Sequence, residues 1–127
     1  MNEREFRERT KRVGLRVVRL VESLPPNRTA DVLGRQLLRS GTSIGANYRA
    51  ACRGRSRKDV VAKLGIVEEE ADETVYWLEM LVDAGIAPAP RLGDLIAEVN
   101  EIVAMTVASI KTLRNRHPKS KIEDFGF

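Results

Sequence analysis

The sequence predicts an all-α protein, an antiparallel up-down-up-down four-helix bundle that assembles as a homo-oligomer. Three observations carry the bundle. Apolar residues recur at steps of three and four along most of the chain. Helix-ending signals at Pro25-Pro26, at Gly54 and between Gly85 and Pro90 cut that pattern into four stretches. No stretch alternates apolar and polar residues as a half-buried strand does. Short connections then make sequential helices antiparallel neighbours. At 127 residues this is one domain, with the bundle over 1–116 and a tail over 117–127.

The first helix is expected over 3–24. Phe6, Thr10, Val13, Val17, Leu20, Val21 and Leu24 form its buried stripe, and Gly14 is a mild weakness within it. Pro25-Pro26 stops it, and Thr29 is the expected N-cap of the next.

The second helix is expected over 30–53, with Ala30, Leu33, Leu37, Ser40, Ile44, Tyr48 and Ala51 facing the core. Beside that stripe lies a ridge of small residues, Gly34, Gly41, Gly45 and Cys52. Glycine in a helix costs roughly 1 kcal/mol relative to alanine, so the ridge implies close approach of another backbone. A third stripe carries Arg35, Arg39, Arg49 and Arg53.

Gly54 fits the position after a helix end. Ser56 and Asp59 form a capping box with Asp in place of Glu. The third helix is expected over 57–84, ended by Gly85, with Val60, Leu64, Val67, Ala71, Val75, Leu78 and Val82 inward. Its opposite side holds Ala62, Ile66, Glu69, Glu73, Tyr76, Trp77 and Met80. A single bundle leaves such a face polar, so Ile66, Glu69, Glu73, Tyr76, Trp77 and Met80 are the candidate subunit interface. The fourth helix is expected over 92–115, with Leu92, Leu95, Ile96, Val99, Ile102, Val103, Thr106, Ile110 and Leu113 on its core face. Pro118 bars its continuation. In the tail, Phe125 and Phe127 are candidates to dock on a neighbour, against the plainer alternative of a frayed end.

Charge is distributed more tellingly than its net value of +4. Residues 25–58 carry eight basic groups and one acidic group, whereas residues 59–85 carry one basic and eight acidic. Arg35, Arg39, Arg49 and Arg53, followed by Arg55, Arg57 and Lys58 in the turn, are therefore the candidate nucleic-acid contacts. The turn meets a helix N-terminus, whose free N–H groups attract anions. A solvated basic face is the bland alternative for all seven.

Catalytic and metal chemistry finds little purchase. The single histidine, His117, lies beyond the core, so the Glu-x-x-His pattern of bundle di-metal sites is missing. Cys52 is the only cysteine, which rules out an internal disulfide and a cysteine cluster. Basic neighbours are expected to lower its pKa, but it has no histidine partner nearby. Ser40 and Ser43 lack a base and read as helix contacts. No nucleotide fingerprint occurs. We therefore expect a non-enzymatic protein with no metal and no cofactor. The charged N-terminus lacks an apolar signal core, and the longest apolar run, 102–110, is too short to span a membrane. A cytoplasmic protein without membrane partners is expected.

At Arg39, Ser40, Ser43, Ile44, Ala46 and Asn47, the pattern R-S-x-x-S-I-x-A-N, the chain resembles the bacterial four-helix-bundle family. That family is encoded in intervening sequences of 23S ribosomal RNA genes. The match continues through Ser56-Arg57-Lys58-Asp59, Leu64-x-Ile66 and the acidic stretch with Glu73. It departs at Ala50, where the family usually has Glu, so any polar role of that Glu is in doubt here. The resemblance implies a homopentameric barrel of antiparallel bundles. A similar fold serves as a basic accessory protein of retroelement reverse transcriptases. The favoured function is thus a self-assembling protein associated with RNA or another nucleic acid. The rival is a protein–protein scaffold or reverse-transcriptase accessory whose arginines serve assembly. The polar motif residues Ser40, Ser43 and Asn47 are expected to bond nearby backbone or each other.

Overall fold

The structure, a computed structural model, describes residues 1–116, so His117, Phe125 and Phe127 lie outside the described residues. Four helices make up the described chain: α1 (Glu3–Glu22), α2 (Arg28–Cys52), α3 (Arg57–Asp83) and α4 (Ala89–Asn115). No strand occurs among the described residues.

The boundaries have local causes, and five helix ends differ from the sequence expectation, that of α3 by the single residue between Asp83 and position 84. Asn27, not Thr29, caps α2, because its extended backbone lets its side-chain oxygen accept the Ala30 N–H at 2.9 Å. The helix therefore begins at Arg28 and ends at Cys52, rather than spanning 30–53. Likewise α4 begins at Ala89, not at Leu92. Pro90 sits in its first turn, where a missing N–H costs nothing, so it starts the helix instead of delaying it. And α1 ends at Glu22, two residues short of Leu24, with Ser23 folding its N–H back to the Leu20 carbonyl.

The ends of α2 and α3 use glycine for different reasons. After α3, Gly85 takes φ +73°, a left-handed conformation. Its N–H bonds the Val82 carbonyl, while the Ile86 N–H reaches the Leu81 carbonyl. These are the paired bonds of a Schellman ending. Gly54 is not left-handed. A Cβ there would stand 2.4 Å from Val60 Cγ2 and 3.1 Å from the Ala51 carbonyl, so the turn needs glycine for space. Ser56 then caps α3, its hydroxyl accepting the Asp59 N–H at 3.0 Å. Asp59 returns the bond to the Arg55 N–H at 3.1 Å, one residue before the usual capping-box donor.

Neighbouring helices run antiparallel throughout. Gly34 of α2 lies under Leu24 and Val21, whereas Gly45 lies against the Thr10 and Lys11 backbone. Thr74 of α3 meets Ser40 of α2, Arg57 at the start of α3 bonds the carbonyl of Arg116 after α4, and Arg91 at the start of α4 bonds Ser23 after α1. The small ridge on α2 is thus the α1–α2 contact, and Gly14 belongs to it. Its own Cβ would stand 3.6 Å from the Gly41 carbonyl oxygen. That is an ordinary contact distance, so alanine would fit at position 14 and Gly14 is the mild weakness that its sequence context suggests.

The core runs the length of the bundle. Phe6 and Tyr48, both fully buried, meet edge to face with centroids 4.7 Å apart. Leu37, Ile44, Leu64, Leu78, Val99 and Ile102 fill the middle. On α3 the inward stripe ends on Leu81, with Val82 only partly buried, and the Ile86 and Ala87 N–H groups both bond the Leu81 carbonyl. The hydroxyls of Ser40 and Thr74, also buried, lie 3.0 Å apart, and Thr74 donates to the Glu70 carbonyl. Across the α1–α4 seam, the Arg9 guanidinium forks onto both oxygens of Glu98 at 2.7 Å and reaches Glu101 at 3.0 Å.

Candidate nucleic-acid interface

The structure divides the seven candidate cations by their surroundings. Arg35 and Arg39 are engaged by carboxylates of the same chain. Arg35 pairs with Asp31 one turn earlier, at 2.9 Å. Arg39 crosses to α3, where it bonds Glu73 and lies 3.2 Å from Glu70. Its hydrogen bonds hold the Glu73 carboxyl below the ordinary glutamate range, despite partial burial. Glu73 also accepts the Trp77 indole N–H at 3.2 Å. The first arginine of the sequence motif is therefore an α2–α3 clamp.

Two of the remaining five are open. Arg49 and Arg53, a turn apart on α2, make no ion pair with the described residues. They line a groove of about 670 Å³ between α1 and α2. From α1 the groove gains Arg7 and Lys11, which the sequence analysis did not single out. Their signal was present, two cations four residues apart beside the apolar stripe, but it was overshadowed by the charge of 25–58. Glu8 is the one carboxylate in the lining, and Gly14, Leu15, Val18, Gly45 and Ala46 line the groove as well.

Arg53 also faces a second cleft of about 480 Å³, lined by Ala50, Arg55, Asp59 and Lys63. Lys63 bonds both Asp59 oxygens at 2.8 Å, and with the Arg55 N–H it holds that carboxyl below its usual range. Ala50 brings no charge to the cleft. Lys58 is exposed in the first turn of α3, and the Arg57 guanidinium donates to the Arg116 carbonyl at 2.9 Å. The basic side thus extends from the groove around the α2–α3 turn.

The motif's polar residues are satisfied locally. Ser43 donates to the Arg39 carbonyl at 2.6 Å and Asn47 to the Ser43 carbonyl at 2.8 Å, while Ile44 is buried and Ala46 exposed. Cys52 departs from expectation. Burial, followed by the nearby Glu3 carboxylate, pushes its thiol up to about 11 rather than down. Such a thiol is a weak nucleophile at neutral pH.

On the outward face of α3, Ile66 and Tyr76 are 41% and 54% exposed, which leaves both available to a neighbour. Glu69 is exposed and Met80 half-buried. Trp77 is different, because its ring packs partly on the chain's own core and edge-on to Tyr76 at 5.0 Å. No helix among the described residues is long and apolar enough to cross a membrane.

Comparison with known proteins places the fold. The chain is similar to the crystal structure of a protein with unknown function from the S23 ribosomal protein family of Bacteroides thetaiotaomicron VPI-5482. The two share 34% identity and a TM-score of 0.81, over 87% of this chain and 99% of that one. Curated proteins give no significant match. The model of the 23S rRNA-intervening sequence protein family matches residues 3–108, which takes in all of α1, α2 and α3 and most of α4. With the R-S-x-x-S-I-x-A-N motif on α2 and the bundle that it helps to clamp, this chain belongs to the 23S rRNA-intervening sequence protein family.

Proposed function

We propose that this chain is a non-enzymatic, self-assembling bundle protein that associates with RNA through its basic side. The observation that carries the reading is the convergence of Arg7, Lys11, Arg49 and Arg53 from two helices on one groove. Four such cations suit phosphate contacts, which position a nucleic acid without reading its sequence. Arg55 and Lys58 extend the same field around the turn. Arg39 is a poor phosphate ligand in this arrangement, because a phosphate would have to displace Glu70 and Glu73, whereas the exposed Arg35–Asp31 pair is weak. For Arg39 the rival reading has a specific observation in its favour: its clamp serves the bundle's own architecture.

Salt separates the two readings. Four phosphate contacts on a single strand give a slope of about −3 in log affinity against log salt. The expected result is RNA released by salt while the oligomer stays whole. Reversal of Arg49 and Arg53 to Glu should weaken binding at least about tenfold, since it removes two contacts and adds repulsion. Unchanged affinity in that variant, with an unchanged oligomer, sinks the proposed surface. Weak binding at low salt together with a ring loosened at high salt supports the scaffold reading.

Self-assembly is supported by the exposed apolar pair on α3, which one bundle leaves uncovered. Because Trp77 also packs on its own core, its loss would confuse unfolding with dissociation. Ile66→Ser with Tyr76→Ser is the cleaner variant. It should leave the thermal midpoint nearly unchanged and shift the light-scattering mass toward one chain. A one-chain mass for the unmutated protein would end the assembly reading.

A further inference from the structure

The geometry points to the α1–α2 groove as a site for single-stranded, rather than double-helical, nucleic acid. The inference rests on the RNA reading above and specifies which form of nucleic acid the groove takes. It starts from Leu15, which is 47% exposed in the middle of α1 and lines the same groove as four cations. Arg7 and Lys11 stand on the α1 side and Arg49 and Arg53 on the α2 side. Leu15, Val18 and Ala46 give the same groove an apolar stretch beside them. At Gly45, where an added Cβ would stand 3.3 Å from the Lys11 backbone nitrogen, the two helix backbones come close beneath the groove.

A surface that binds phosphate alone has no use for an apolar stretch. It also favours the duplex, whose axis carries about one charge per 1.7 Å, against one per about 3.4 Å along each strand. The duplex, however, keeps its base faces stacked inside. An unpaired strand can place phosphates on the cations and turn its bases onto Leu15 and Val18. The groove's volume of about 670 Å³ suits this, since pockets of roughly 300–1,000 Å³ enclose groups of small-molecule size. No aromatic ring lines the groove. Base contacts are therefore aliphatic and tolerant of sequence, unlike the ring stacking of most single-strand binders. Glu8 tempers the positive charge on the α1 side and sets a limit to how many phosphates the groove holds.

Fluorescence anisotropy of the full-length protein, with a labelled oligouridylate and an RNA duplex of equal length, tests this. The single strand should bind about tenfold more tightly, the factor expected from covering one aliphatic side chain. Leu15→Gln, at a half-exposed position that the fold does not need, should remove most of that preference and leave duplex affinity unchanged. Equal or tighter duplex binding overturns the inference while the RNA reading stands. So does a Leu15→Gln variant that weakens both ligands alike. Failure to bind either ligand at low salt overturns both readings, and leaves the groove to an acidic protein segment.

Discussion

Replacing Arg9 with Met should destabilise the protein by about 2 kcal/mol, and replacing Glu98 with Gln should cost nearly as much. Arg9 and Glu98 are 86% and 77% buried at the side chain, the complements of 14% and 23% exposure. Breaking one member of a fully buried pair costs roughly 3–5 kcal/mol, because the other charge stays behind without its partner. Residual solvent access and the second contact to Glu101 reduce that figure here. The pair also predicts a pH dependence. Hydrogen bonds from Arg9 hold the Glu98 carboxyl below its ordinary value of 4.5, against the opposing effect of burial. A depressed folded pKa gives stability that is complete above the unfolded value and is lost as pH falls through the folded one. Arg9 stays charged throughout, so it adds no pH dependence of its own. Urea unfolding at pH 7 and pH 3 should therefore show a smaller Glu98→Gln effect in acid. A double variant, Arg9→Met with Glu98→Leu, should recover much of the loss, since a well-packed apolar pair can match an ion pair. Additive losses, or single effects below about 0.5 kcal/mol, would show that the seam does not depend on this bridge.

That pair illustrates what the sequence could not reveal. Arg9 is one of seven basic residues in the first 24, and nothing local marks it as the one that turns inward. Its partner is 89 positions away, so its burial is decided by which helices meet. Periodicity, in contrast, is local, and it placed Phe6, Leu37, Leu64 and Ile102 in the core correctly. Errors clustered where two local signals compete. Asn27 and Thr29 are both cap residues, and only the chain's path out of Pro25-Pro26 selects between them. Pro90 is equally at home in a turn or in a first helical turn. The arginine stripe was legible as a stripe, but its division was not. Arg39 and Arg49 lean to opposite sides of α2, one toward α3 and its carboxylates, the other toward α1 and its cations. Helical spacing gives the angle between two side chains and says nothing of which helix waits on each side.

Gly41→Ala and Gly65→Ala should change stability in opposite directions, although both replace a helical glycine by the best helix former. For an open site the exchange gains up to about 1 kcal/mol. Gly65 is such a site, with no atom within 4 Å of an added Cβ. At Gly41 the added Cβ would stand 2.7, 2.9 and 3.0 Å from Cγ2, Cγ1 and Cβ of Val17. Val17 is fully buried and β-branched, so any other rotamer still leaves one methyl against the added Cβ and turns the other into the packed core. The helices must move apart instead. That opens the neighbouring close approach of Gly45 to the Thr10 and Lys11 backbone. Overpacking of this kind costs about 1–3 kcal/mol, which outweighs the gain in propensity. We therefore expect Gly65→Ala to raise the denaturation midpoint and Gly41→Ala to lower it. Val17→Ala removes both methyls that the new Cβ would meet. In the Gly41→Ala background it should cost much less than it does alone, because the two changes share one space. Equal shifts of the same sign for the two glycine variants would show that the α1–α2 approach does not depend on glycine at position 41.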